Sequence, residues 1–139
     1  MRRRGRRRAP ESGAPVHHLA AAGEHLPFRD GAFDTVVATL VLCSVRDPGA
    51  TATEVRRVLA PGGRLLVLEH VRAPSPRLAA WQDRLARPWA AVAGGCRPNR
   101  DTTASLQAAG FDVAAVAPFV LRPSIPLVAP HVQGAARLA

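Results

Sequence analysis

The sequence predicts an α/β fold built on a parallel sheet. Three observations carry this. Residues 33–42 form an almost continuous apolar, β-branched run, Phe33-Asp34-Thr35-Val36-Val37-Ala38-Thr39-Leu40-Val41-Leu42, of the kind found in strands covered on both faces. A helical pattern follows it. A second apolar run, Leu65-Leu66-Val67-Leu68, then ends on Glu69-His70. Strand, helix, strand is a βαβ unit, with a right-handed crossover and parallel strands.

Each element has local punctuation. Asp47 is suited to cap a helix and Pro48 to occupy its first position. Thr51, Val55, Val58 and Leu59 fall on one face at helical spacing, with Glu54, Arg56 and Arg57 on the other. Ala60-Pro61-Gly62-Gly63 predicts a turn with glycine at positive φ. A second helix is expected from Ser75-Pro76, with Leu78, Trp81, Leu85 and Trp89 as its packed face and Pro88 kinking or ending it. Gly94-Gly95 marks a loop, and Asp101 should cap a short helix that Gly110 terminates. Phe111–Ala117 predicts a third strand. Beyond it, Pro118, Pro123, Pro126 and Pro130 restrict Val120–Leu121 and Leu127–Val132 to irregular edge strand. Upstream, Val16–Ala20 is a weak strand candidate, Leu26–Ala32 a turn, and Met1–Ala9 a short basic helix stopped by Pro10.

The chain has 139 residues, 47% hydrophobic and 21% charged, which suits one globular domain. It divides into a basic tail, residues 1–15, and a domain, residues 16–139. No apolar run approaches the ~20 residues of a membrane span, and no secretory signal is evident, so a cytoplasmic protein is expected. The net charge is +9, of which six positive charges are arginines in the first eight residues; lysine is absent throughout. Such a tail can bind nucleic acid through phosphates, although a solvated or disordered segment explains it more simply. Cys43 and Cys96 are too few for a disulfide framework and lack metal-ligand spacing. His17 and His18 are adjacent and point to opposite faces, and His25 and His131 have no partner pattern, so no metal is expected.

The chain resembles the class I S-adenosylmethionine (SAM)-dependent methyltransferases of the ubiquinone/menaquinone-biosynthesis type. The residues that carry the resemblance are Leu26-Pro27-Phe28 with Phe33-Asp34, then Leu42-Cys43-Ser44-Val45-Arg46-Asp47-Pro48. Arg57-Val58-Leu59-Ala60-Pro61-Gly62-Gly63, Glu69-His70 and the string Gly95-Cys96-Arg97-Pro98-Asn99-Arg100-Asp101-Thr102 complete it. It implies a partial Rossmann-like sheet lacking its first two strands, with helices on both faces and an antiparallel edge at the C-terminus. Ligands in such folds sit beyond the carboxyl ends of the strands. The resemblance therefore implies SAM contacts at Gly23, Glu24, Thr39 and Leu40, and contacts to a small-molecule methyl acceptor at Glu69, His70, Asn99 and Arg100. The family's glycine-rich loop and its ribose-binding acid have no counterpart here. The position of its adenine-contacting Asp corresponds to Ala22. An N-terminally truncated and catalytically impaired methyltransferase is the resulting expectation. The alternatives are a non-catalytic subunit completed by a partner chain, or a basic nucleic-acid-binding protein.

Overall fold

The structure, a computed structural model, describes residues 15–139. The basic helix expected at Met1–Ala9 lies outside them. Five strands and three helices follow one another in the described residues as β1 (Phe33–Thr39), α1 (Pro48–Val58), β2 (Leu59–His70), α2 (Pro76–Val92), α3 (Thr102–Ala108), β3 (Phe111–Asp112), β4 (Val116–Val120) and β5 (Pro130–Leu138), with a 3₁₀ turn at Pro126–Val128.

β1 and β2 pair in parallel, as the βαβ pattern requires, with Val36 opposite Leu65 and Ala38 opposite Val67. α1 begins where its punctuation places it: Pro48 occupies its first turn, and the Asp47 carboxylate accepts a hydrogen bond from Ala50 N at 3.0 Å. Arg56 and Arg57 fall in its last turn, where positive charge complements the helix dipole. The Ala60–Gly63 segment is a bulge inside β2 rather than a separate turn. Phe33 faces Leu59, yet Thr35 already faces Arg64. Gly62 carries the positive φ of 76° that lets the chain double back.

The C-terminal strand is antiparallel, as expected, but it is not outermost. The sheet order is β1-β2-β5-β3, with β4 also paired to β5. β5 thus lies between β2 on one side and the split strand β3/β4 on the other. Proline is tolerated because Pro130 is the first residue of the strand. Gly134 permits the split. It sits at φ 149°, and a Cβ there would fall 2.0 Å from the carbonyl oxygen of Ala115, in the link between β3 and β4.

One face of the sheet carries the apolar core. Ala38, Leu65, Val67 and Ala136 point to it and pack against Ala52 and Val55 of α1, Leu106 of α3, and Phe111. The other face is only half covered, contrary to the expectation of strands buried on both sides: Val37 is 65% exposed. Two further expectations fail. Residues 15–21 form no strand, and Val16 and Leu19 are exposed. α2 buries a different stripe from the one its apolar residues suggest. Ala79, Gln82 and Ala86 face inward, whereas Trp81 is 56% exposed and Leu85 also faces solvent. Small residues let the helix sit close, and Gln82 is held by three hydrogen bonds, from Ala73 N and to the carbonyls of Val71 and Leu127. Pro88 lies within α2 without ending it.

Candidate active site at the carboxyl ends of β1 and β2

The polar residues of the interior gather where the parallel strands end. Glu69, at the end of β2, is fully buried. Its Oε1 accepts hydrogen bonds from Val41 N (2.7 Å) and Leu42 N (3.0 Å), and its Oε2 from Cys43 N (3.1 Å). All three partners are donors, so the carboxylate acts as an anionic cap for the turn after β1. Glu69, expected to contact a methyl acceptor, binds the backbone of the loop after β1 in this structure.

Arg100 grips the same loop from the opposite side. Its guanidinium donates to the carbonyls of Leu42 (2.6 Å) and Arg46 (3.2 Å), while Arg97 N donates to the Cys43 carbonyl at 2.8 Å. Asn99 donates to Asp83 Oδ1 at 3.0 Å. Asp83 in turn receives both terminal nitrogens of Arg72, and these partners, Arg72 foremost, hold its carboxyl down to about 2. Asn99 and Arg100, expected to contact a methyl acceptor, hydrogen-bond to Asp83 and to the carbonyls of the loop after β1.

The four residues expected at the cofactor separate into two pairs. Thr39 and Leu40 end β1 and are exposed, and Leu40 adopts the left-handed region at φ 54°. A leucine rarely sits there. Gly23 and Glu24 lie in the turn bridged by Ala22 and His25, packed on the start of α1. A Cβ on Gly23 would come within 3.0 Å of Thr51. Glu24 accepts from Asp47 N at 3.0 Å, and that N–H lowers its pKa.

A groove of about 1160 Å³ opens beyond the end of β2, between the Val71–Ser75 segment and the β4–β5 hairpin. Leu78, Phe119, Val120 and Leu121 supply apolar wall, Arg72 and Asp101 lie at it, and His131 lines it. The imidazole of His131 is buried and packs edge-on against His70 (centroids 4.5 Å apart) and beside Phe119 (5.3 Å). Its Nδ1 lies 2.9 Å from the Ala129 carbonyl. A carbonyl can only accept, so Nδ1 carries a proton in this contact. Nothing in the local sequence singled out His131; only its pairing with His70 across β2 and β5 brings it here.

His70 itself turns to the cysteines. Its Nδ1 is 3.1 Å from Cys96 Sγ. Cys43, His70 and Cys96 each present a ligating atom, all within 4.8 Å of one another. Both cysteines are free and buried. The neighbouring Cys43 thiol, and more weakly the Trp89 indole, hold Cys96 down to about 7, while the same contact and burial push Cys43 up. The absence of metal-ligand spacing in the sequence thus concealed a cluster drawn from three separate segments.

Comparison with known proteins decides the family. A family model described as a methyltransferase domain matches residues 1–67. The thiol S-methyltransferase TMT1B of Rattus norvegicus is 38% identical over 124 residues, 85% of this chain and 49% of the relative. The demethylmenaquinone methyltransferase of Thermus thermophilus is 45% identical over 69 residues, 50% of this chain and 31% of the relative. The chain belongs to the class I SAM-dependent methyltransferases. The fold agrees: a SAM-dependent methyltransferase structure from Thermotoga maritima superposes with a TM-score of 0.69 at 22% identity, covering 98% of this chain and 70% of that one. The chain spans about half the length of the curated TMT1 relatives it matches.

The cofactor of class I methyltransferases is SAM, and the end of β1 tests its fit here. The surface at Thr39, Leu40 and Val41 is exposed, mostly apolar, and borders a backbone turned out of the strand at Leu40. That suits the uncharged body of an adenosyl group. Glu24 and Glu69 each accept hydrogen bonds from backbone N–H groups. The described residues therefore fit one wall of a SAM site. Among the described residues no helix is long and apolar enough to cross a membrane.

Proposed function

We propose that this protein transfers a methyl group from SAM to the sulfur of a small thiol held in the groove beyond β2. The observation that carries the reading is His131, a buried imidazole that lines a largely apolar groove with Nδ1 tied to a carbonyl, which leaves Nε2 as the ring nitrogen to take a proton. SAM, when bound, supplies a methyl group on a sulfonium, open to in-line attack. Thr39 and Leu40 form the wall against it, with Gly23 and Glu24 bordering the neighbouring loop.

An acceptor thiol attacks as its thiolate. His131 Nε2 takes the thiol proton; the thiolate lone pair would then form the new S–CH₃ bond as the donor's sulfonium–methyl bond breaks, with S-adenosylhomocysteine as the leaving group. Leu78, Phe119 and Leu121 keep water from the reacting sulfur. Arg100 and Glu69 keep the β1 loop in position. A thiol is favoured over a quinone carbon because the thiol methyltransferase relative aligns with 85% of the chain, whereas the menaquinone relative aligns with 50%. The longer alignment necessarily takes in groove residues.

The test is mass-spectrometric detection of methylated product from SAM and parallel panels of small thiols and demethylated quinones. Thiol methylation is expected, with His131→Gln lowering kcat/KM by roughly a hundredfold or more and alkaline pH restoring part of the loss as the thiol ionises unaided. Quinone methylation without thiol methylation overturns the reading, as does an unimpaired His131→Gln enzyme. A completing partner chain is the second reading. Among the described residues the outer edge of β1 has no strand paired to it, and co-purification of a second chain that restores SAM binding would favour it.

A further inference from the structure

We propose that Cys43, His70 and Cys96 form a binding site for a thiophilic divalent cation, zinc, on the half-covered side of the sheet. The inference does not rest on the methyl-transfer reading.

The donor set comes first. Two thiols and one imidazole nitrogen lie within 4.8 Å of one another. Around tetrahedral zinc, with bonds of about 2.0–2.3 Å, neighbouring ligand atoms stand roughly 3.3–3.8 Å apart. A contraction of about 1 Å at the widest separation would close the site. Sulfur and imidazole select zinc over calcium or magnesium, which take oxygen ligands. Two thiolates also neutralise a divalent charge, so the occupied site carries no net charge into the interior. Binding releases both thiol protons to solvent, and the fourth position is left for water.

The surroundings are already organised. The Glu69 carboxylate fixes the Cys43 backbone through Cys43 N, and Arg97 N donates to the Cys43 carbonyl, stitching the two cysteine-bearing loops together. His70 ends β2, the strand best anchored in the sheet, with partners on both sides. A separate observation comes from the end of the helix that leads into the Cys96 loop. The Trp89 indole nitrogen is buried without a hydrogen-bond partner. A metal-bound thiolate is the acceptor that a buried N–H lacks.

The experiment loads the reduced full chain with zinc alone, removes excess by gel filtration, and measures bound metal. A chelator competition gives affinity. One zinc per chain is expected. Cys43→Ser and Cys96→Ser should each weaken binding roughly tenfold or more, with Trp89→Phe weakening it less. Because either cysteine variant can fail to fold, the unmodified protein supplies a second readout: zinc should slow alkylation of Cys43 and Cys96 together, and cobalt in its place should give a thiolate charge-transfer band. Absence of zinc uptake by the reduced chain overturns the proposal. So does uptake that leaves both thiols reacting at their metal-free rate, or uptake unchanged in a folded double cysteine variant.

Discussion

The two faces of the β1–β2 unit are built by different rules. Toward α1 and α3 the interior is apolar and made by alternation: Leu65, Val67, Ala38 and Ala136 meet Val55, Leu106 and Phe111. At the carboxyl ends of the strands, Glu69, Gln82 and His131 are buried, and each ties at least one polar atom to a backbone group. The first region is stabilised by area removed from water, the second by specific geometry. The contrast locates the chemistry. A protein accepts the cost of burying polar groups where it needs fixed loops around a ligand.

Substitutions in the two regions should fail differently. The largest effect is expected at Gly134→Ala, where the added methyl meets the Ala115 carbonyl at 2.0 Å. β5 joins both halves of the sheet, so a loss of about 3 kcal/mol or more is expected in urea denaturation. Leu106→Ala in the apolar region removes a fully buried side chain and should cost about 3 kcal/mol, with ligand binding in the folded fraction unchanged. Glu69→Gln should cost less, about 2 kcal/mol. The amide keeps one acceptor oxygen and sets a donor against the third N–H, so its signature is faster hydrogen exchange at Val41, Leu42 and Cys43. Equal protection in the variant and the parent would remove the distinction between the two regions.

The smallest effect concerns acid. Glu54 is held at about 2, below its ordinary 4.5, first by Arg57 and then by Leu26 N. Its stabilising contribution is complete above the ordinary value and disappears as pH falls through about 2. The pair is partly exposed, so solvent screening keeps the effect small. Arg57→Gln should flatten this part of the stability–pH curve between pH 4.5 and 2.

The elements written in local chemistry were legible in advance. Asp47-Pro48 and Asp101 cap their helices as their positions require, because a cap depends on three or four consecutive residues. What escaped depends on distant pairing. Nothing near Pro130 announces that β5 inserts between β2 and β3. The buried stripe of α2 was misplaced because periodicity counts apolar residues, whereas Gln82 is buried for its hydrogen bonds and Trp81 is left outside. Among the site residues, Glu69 and His70 were identified by position at a strand end, but their tasks follow from partners at residues 41–43 and 96. His131 and the cysteine cluster become visible only when three or more segments meet.

The grip of Arg100 has a thermodynamic consequence. Its side chain holds the carbonyls of Leu42 and Arg46, and its own carbonyl receives Arg72 N. Arg72 lies at the wall of the groove. Arg100 therefore bridges the loop after β1 and the groove wall. A ligand that shifts one of them alters the free energy of filling the other, and the influence is equal in both directions.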